Sequence, residues 1–180
     1  MNIITLKRLD RAVLQVQSEL FDLGFYDEPV QAVDVYLVFL GNAYGWHYYG
    51  GSGDINIPAI SFSRLRDLFR RRYTSLRDVL RHEYAHAVAD THRGLFRSPR
   101  FSEPYGGSHE SSVASEFDPR CHLTEYAAES PSEDFAETFM FFVRHSGVLP
   151  PRLRTPVIAR KWAFIRDLGR AIKRGQRRWD

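Results

Sequence analysis

The stretch that most constrains the fold runs from residue 75 to residue 93. No glycine or proline interrupts the chain between Thr74 and Arg93, and apolar side chains recur there at helical spacing: Leu76, Val79, Leu80, Ala87 and Val88. This pattern predicts a helix that Thr74 or Ser75 caps and that stops near Gly94. The segment HEYAH lies within it, so His82 and His86 fall on one helical face, one turn apart.

Two histidines at this spacing can both reach one tetrahedral metal ion, as in H-E-x-x-H zinc sites. Glu83 follows the first histidine and is then placed beside the metal, where it can take a proton from a zinc-bound water. The competing interpretation is a helix with two histidines that bind no metal. A catalytic zinc also needs a third protein ligand, and the sequence offers two candidates.

The first candidate is His92, six residues after His86, which is the spacing of the class H-E-x-x-H-x-x-G-x-x-H. In that class a glycine lets the chain turn sharply, but here the position is Ala89. On an unbroken helix His92 would lie about 240° round from His86 and point away from the metal. Neither Met1 nor Met140, the only methionines, offers a Met-turn below the site.

The second candidate lies in SPSEDFAETF, residues 130–139, where Glu133 and Glu137 are four residues apart on one helical face. Ser130 and Pro131 open this helix, which we expect to continue to about His145. The alternative interpretation is that Ser130 and Glu133 form only a capping box, with Glu137 solvated.

Together, HEYAHAVAD and the downstream SPSEDFAETF resemble the gluzincins, in particular the lethal-factor-like zinc metallopeptidases and a related family of zinc-binding metallopeptidases. The resemblance implies one Zn²⁺ per chain with His82, His86 and Glu133 as its ligands. It further implies that Glu137 hydrogen-bonds a ligand histidine, which would fix the tautomer of that ring. It covers mainly residues 76–93 and 126–145.

The same resemblance implies a zinc-dependent peptidase that acts on proteins or peptides, with Glu83 as the general base and Tyr126 as the oxyanion donor. Tyr105, His109 and His122 lie in the same connection as Tyr126 and are alternatives for that role. In zincins an edge strand pairs with the extended substrate, and residues 54–58 or 44–50 are the candidates.

The rest of the chain predicts a single α+β domain on a zincin-like plan, with a small mixed sheet. The expected elements are an N-terminal helix within 1–24, a sheet region over 33–58, an Arg-rich helix from Ser63 to about Arg72, the active-site helix over 75–93, a long connection over 95–125, the glutamate helix over 130–145, and a basic C-terminal helix and tail over 152–180. The strands are expected at 33–40, 44–50 and 54–57.

Charge is unevenly distributed along the chain. Residues 152–180 hold ten Lys and Arg against two Asp, whereas residues 102–139 hold nine acidic residues against the single Arg120. The basic segment suggests an alternative function as a nucleic-acid-associated module, or a protease recruited to DNA, with a structural metal. Solvated helix faces produce the same pattern.

The N-terminal residues and the cysteine content predict the cellular compartment of the protein. The first twenty residues mix charged and apolar side chains, so we expect no signal peptide, and no run is long and apolar enough to cross a membrane. The lone Cys121 excludes an internal disulfide and a cysteine-based metal site. These features predict a cytoplasmic protein, with export by a specialised route left open.

Overall fold

The computed structural model describes residues 3–39, 45–68 and 75–179, and these form a mixed α+β structure. Within those ranges there are eight α-helices and one three-stranded sheet. The helices are α1 Leu6–Leu23, α2 Glu28–Gln31, α3 Phe62–Leu68, α4 Leu76–Thr91, α5 Arg93–Phe96, α6 Pro99–Tyr105, α7 Pro131–Arg144 and α8 Pro156–Lys173. The strands are β1 Asp34–Val38, β2 Gly45–Tyr48 and β3 Gly53–Pro58, and two 3₁₀ turns cover Tyr126–Glu129 and Pro151–Leu153.

The sheet is mixed, as the sequence predicts, and its strand order is β1-β3-β2. The central strand β3 pairs in parallel with β1 and antiparallel with β2. The interpretation of residues 54–58 as an edge strand is therefore wrong, because β3 has a hydrogen-bonded neighbour on each side. The second candidate, β2, is an edge strand and packs beside α4.

Serine and threonine hydroxyl groups cap the N-termini of several helices. Ser75 accepts a hydrogen bond from the Asp78 N–H at the start of α4, and Thr155 accepts one from Ile158 at the start of α8. Ser63 was the expected cap of α3, but it lies inside that helix, and Ser61 accepts the Arg64 N–H instead. Helix α3 therefore begins earlier than the sequence indicates. The expected strand end at Leu40, strand start at Tyr44, helix end at Arg72 and cap at Thr74 lie outside the described residues.

The connection over residues 95–125 contains a helix that the sequence did not predict. Pro104 lies inside α6, and proline normally marks the end of a helix. Phe101 and Tyr105 on this short helix are buried and contact the ring of Phe135. Burial of these aromatic side chains therefore outweighs the low helix propensity of the segment.

A partly buried ion-pair network links α1, α4 and α7. Arg81 on α4 donates two hydrogen bonds to Glu19 on α1, both at 2.8 Å, and a third to Asp78 at 2.7 Å. Arg144 at the end of α7 also pairs with Asp78, at 2.7 Å. Asp78 lies one turn before His82 on the same face of α4, so its pairing with Arg144 holds the face that carries the histidines against α7.

Apolar packing supports the same arrangement. Helices α4 and α7 share the most extensive contact of any two described elements. Their buried side chains belong to one apolar cluster, which includes Val79, Tyr84, Phe135, Phe139 and Met140. Among the described residues, no helix has the length and apolar character that crossing a bilayer requires.

Candidate metal centre

Three side chains from α4 and α7 converge on one point. The Nε2 atoms of His82 and His86 are 3.2 Å apart, as expected for neighbouring turns of α4. The Oε2 atom of Glu133, in the first turn of α7, lies 3.2 Å from Nε2 of His82 and 3.6 Å from Nε2 of His86. These three residues are the one set in the described part of the chain whose ligand atoms lie close enough together to hold a metal ion.

The start of α7 explains how Glu133 reaches this point. Ser130 caps the helix and accepts a hydrogen bond from the Glu133 N–H at 3.2 Å. In a capping box the Glu133 carboxylate would bond back to the N–H of the cap residue. Its Oε2 atom faces the two histidines instead, so only the Ser130 half of the box is formed.

The distances fit a tetrahedral ion. Bonds of about 2.0–2.1 Å from zinc to nitrogen or oxygen place neighbouring ligand atoms about 3.3 Å apart. The three observed separations of 3.2, 3.2 and 3.6 Å are close to that value. Apart from the two ring nitrogens, the buried Oε2 atom of Glu133 has no hydrogen-bond partner among the described residues. The arrangement therefore suits a cation at the centre of the triangle.

The orientation of His82 leads to the same conclusion. Its Nδ1 atom lies 2.8 Å from Oε1 of the fully buried Glu137, and a carboxylate at that distance requires a proton on Nδ1. In the neutral ring, the Nε2 lone pair then points at the Glu133 carboxylate. Two lone pairs that face each other need a proton or a metal ion between them.

The pKa values of His82 and Glu133 are both shifted in the directions that favour a positive charge between these residues. Burial lowers the pKa of His82, but its hydrogen bonds to Glu133 and Glu137 outweigh burial and raise it to about 10. Burial raises the pKa of Glu133, whereas the two histidines lower it further, and the net change is a fall well below the usual value. Both shifts arise from the close approach of the histidine rings to the two carboxylates, which favours positive charge at this point.

Thr124 is a site residue that the sequence analysis missed. Its hydroxyl donates a hydrogen bond to Oε2 of Glu137 at 2.9 Å and accepts one from the Ala127 N–H at 3.2 Å. Both oxygens of Glu137 are thereby engaged, one by His82 and one by Thr124. The motif T-E-Y-A, in which a threonine begins a turn, was the available signal.

Glu83 lies beside the three converging residues without belonging to the set. Its side chain is buried, and its Oε2 atom accepts a hydrogen bond from the Trp46 N–H of β2 at 2.8 Å. The predicted general base therefore lies on the side of α4 that faces the edge strand β2.

Tyr126 also lies next to the site. It begins the 3₁₀ turn before α7, and its ring centroid is 5.9 Å from that of His82. Tyr105 and His122, two of the alternatives for the oxyanion donor, line a separate cavity of about 310 Å³. The three converging residues do not border that cavity. The third alternative, His109, packs edge-on against Phe96 at 5.2 Å.

His92 does not join the cluster. It is the C-terminal cap of α4, and its Nε2 atom faces Asp27 at 3.1 Å. Its Nδ1 atom lies 3.1 Å from the Val88 carbonyl oxygen. Both ring nitrogens are occupied on the side of α4 that packs against α2, as the unbroken helix requires.

The basic C-terminal segment is only partly available to a partner. Lys161 is buried and pairs with Asp134, and Arg177 pairs with Asp27 at 3.2 Å. The exposed cations on α8 are Arg160, Arg166, Arg170 and Lys173.

Comparison with known proteins returned no match to a family model, to a curated protein or to a solved structure.

Proposed function

We propose that the protein is a zinc-dependent peptidase of the gluzincin type, with a zincin-like fold. The observation that carries this proposal is the triangle of ligand atoms formed by His82, His86 and Glu133, with edges of 3.2 to 3.6 Å. Glu137 behind His82 supplies the carboxylate that metal-ligating histidines usually bond through their other nitrogen.

A bound Zn²⁺ supplies Lewis acidity, which lowers the pKa of a coordinated water and polarises a carbonyl group. Glu83 is the base of the proposed reaction: Trp46 holds one carboxylate oxygen, and the other, which has no hydrogen-bond partner among the described residues, accepts a proton and passes it to the leaving amine. Tyr126 donates a hydrogen bond to the developing oxyanion.

The geometry of β2 suggests how a substrate is held. In an antiparallel pair, alternate residues direct their N–H and C=O groups away from the partner strand. Because the Trp46 N–H bonds Glu83, it points outward, and the Trp46 C=O and the Tyr48 N–H share that direction. An extended peptide can pair with these two groups by strand addition, which reads main chain rather than side chains.

Two other functions compete with this one. Two histidines and one carboxylate also form the iron site of non-haem oxygenases. A carboxylate base next to the first histidine, as in H-E-x-x-H, favours hydrolysis with zinc. A nucleic-acid-associated module would use the exposed arginines of α8 and would not need Glu83 at the metal.

Metal analysis together with a peptidase assay tests the proposal. We expect the protein to purify with one zinc per chain and to cleave an unstructured polypeptide. A chelator should abolish cleavage, and zinc should restore it. Bound iron in place of zinc would support the oxygenase alternative, and cleavage by metal-free protein would refute the proposal.

A further inference from the structure

We propose that Trp46 is the positioning residue of Glu83: its main-chain N–H holds the carboxylate, and its indole ring, fixed on Asp90, holds the main chain. This inference rests on the proposed function, because it assigns Trp46 a role towards the general base. Its first element is the hydrogen bond of 2.8 Å from the Trp46 N–H to Oε2 of Glu83. That bond engages one oxygen, and the other has no hydrogen-bond partner among the described residues.

The second element is the anchor of the indole ring. Its Nε1–H donates to Oδ2 of Asp90 at 2.9 Å. Glu83 and Asp90 are seven residues apart on α4, so they lie on the same helical face two turns apart. Trp46 therefore bridges two points of this face, one through its main chain and one through its side chain.

Further contacts hold the bridge in place. Arg93 pairs with Asp90 at 2.9 Å, and its guanidinium group lies 4.3 Å from the centre of the Tyr48 ring on β2. The indole packs directly over Gly53 of β3, where an added Cβ atom would come within 2.4 Å of the ring. These contacts tie both the main chain and the indole ring of Trp46 to neighbouring elements.

Gly45 allows the close approach of strand and carboxylate. Its φ of +97° lies in the region that favours glycine. An added Cβ atom would also lie 3.1 Å from Oε2 of Glu83, which is tight contact. A glycine before Trp46 therefore favours the approach that brings the Trp46 N–H to Glu83.

Nuclear magnetic resonance of the metal-free protein tests the hydrogen bond without reference to activity. An amide that donates to a carboxylate resonates downfield, so Glu83→Gln should move the Trp46 amide proton upfield. Glu133→Gln removes a neighbouring carboxylate and is the matched control, which should leave that resonance in place. A Trp46 amide that does not respond to Glu83→Gln would overturn the inference.

Kinetics test the role of the anchor. Trp46→Phe and Asp90→Ala should keep full zinc content and lower kcat by about 10- to 100-fold, more than they raise KM, as expected for a misplaced base. Asp90→Asn retains an acceptor for the indole N–H and should recover most of kcat. Trp162→Phe is the control, since Trp162 lies on α8 and its indole donates to the Gly147 carbonyl instead of to a residue of α4.

The resonance and kinetic experiments together distinguish failure of this inference from failure of the proposed function. A kcat that Trp46→Phe and Asp90→Ala leave unchanged would overturn the positioning role. A wild-type protein without peptidase activity would overturn the proposed function, while the resonance experiment would still decide whether Trp46 holds Glu83.

Discussion

The hydroxyl of Thr124 donates a hydrogen bond of 2.9 Å to Oε2 of Glu137, whose other oxygen lies 2.8 Å from Nδ1 of His82. The same hydroxyl accepts the Ala127 N–H, one residue after Tyr126. A single threonine thus connects the turn that carries the tyrosine to the carboxylate that orients a candidate metal ligand.

The first prediction follows from this link. Thr124→Val keeps the shape of the side chain but leaves Oε2 of the buried Glu137 without a donor, whereas Thr124→Ser keeps the hydroxyl. We expect the valine variant to bind zinc about 10- to 100-fold more weakly, the usual effect of losing an outer partner, and the serine variant to bind nearly normally. Competition with a chromophoric chelator measures both affinities. Equal affinities in the two variants would show that the hydroxyl has no part in holding Glu137.

The second prediction identifies the third metal ligand. Glu133→Ala should remove most bound zinc, because no other described carboxylate or histidine completes the set with His82 and His86. His92→Ala should keep its zinc, since both nitrogens of His92 face Asp27 and Val88. Mass spectrometry under native conditions gives the stoichiometry, and circular dichroism checks that each variant is folded. Loss of zinc from folded His92→Ala, with retention in Glu133→Ala, would favour the three-histidine class.

The third prediction concerns the base. Glu83→Gln should retain one zinc per chain and lose peptidase turnover, because an amide keeps the hydrogen bond from Trp46 but cannot accept a proton at neutral pH. Zinc content and single-turnover cleavage should be measured on the same preparation. Turnover at the wild-type rate would remove Glu83 from its proposed role.

Local patterns in the sequence predicted the helix that carries the histidines, the glutamate helix and the mixed α+β class. They succeeded because the spacing of His82 and His86, and of Glu133 and Glu137, is set by one helix each. The contacts of Trp46 with Glu83 and of Thr124 with Glu137 join positions 37 and 13 residues apart. Such contacts depend on how strands and helices pack, which no local periodicity encodes.

The order of the strands in the sheet could not be predicted from local sequence patterns either. The sequence identified β2 and β3 but not which of them is the edge, because strand order depends on pairing between segments and not on the pattern within one run. The central position of β3 follows from a parallel pairing with β1, a contact between segments that β2 separates in sequence.

The fourth prediction concerns Tyr126. Tyr126→Phe should retain zinc and lower kcat by about 10- to 1000-fold, as expected for the loss of one oxyanion donor. Tyr105→Phe is the matched control, because Tyr105 stacks on Phe101 at 4.7 Å and borders the separate cavity. If the control lost more activity than Tyr126→Phe, the oxyanion role would belong elsewhere.

The last prediction concerns the pH dependence of stability through His109. Burial, followed by the charge of His86, lowers the pKa of His109 from 6.5 to about 4. Its ring lies among the aromatic side chains of Phe96, Phe101 and Phe135, and its buried Nε2 atom has no partner among the described residues.

Between pH 4 and 6.5 the unfolded chain therefore binds a proton at His109 that the folded chain excludes. The free energy of unfolding then falls as the pH drops through this range, and the loss is complete near pH 4. His109→Phe removes the titrating group, so the variant should gain about 2 kcal/mol relative to the wild type on going from pH 7.5 to pH 5. Urea denaturation of both metal-free proteins at the two pH values measures the change. A stability difference that stays constant between pH 7.5 and pH 5 would show that His109 titrates alike in the folded and unfolded chains.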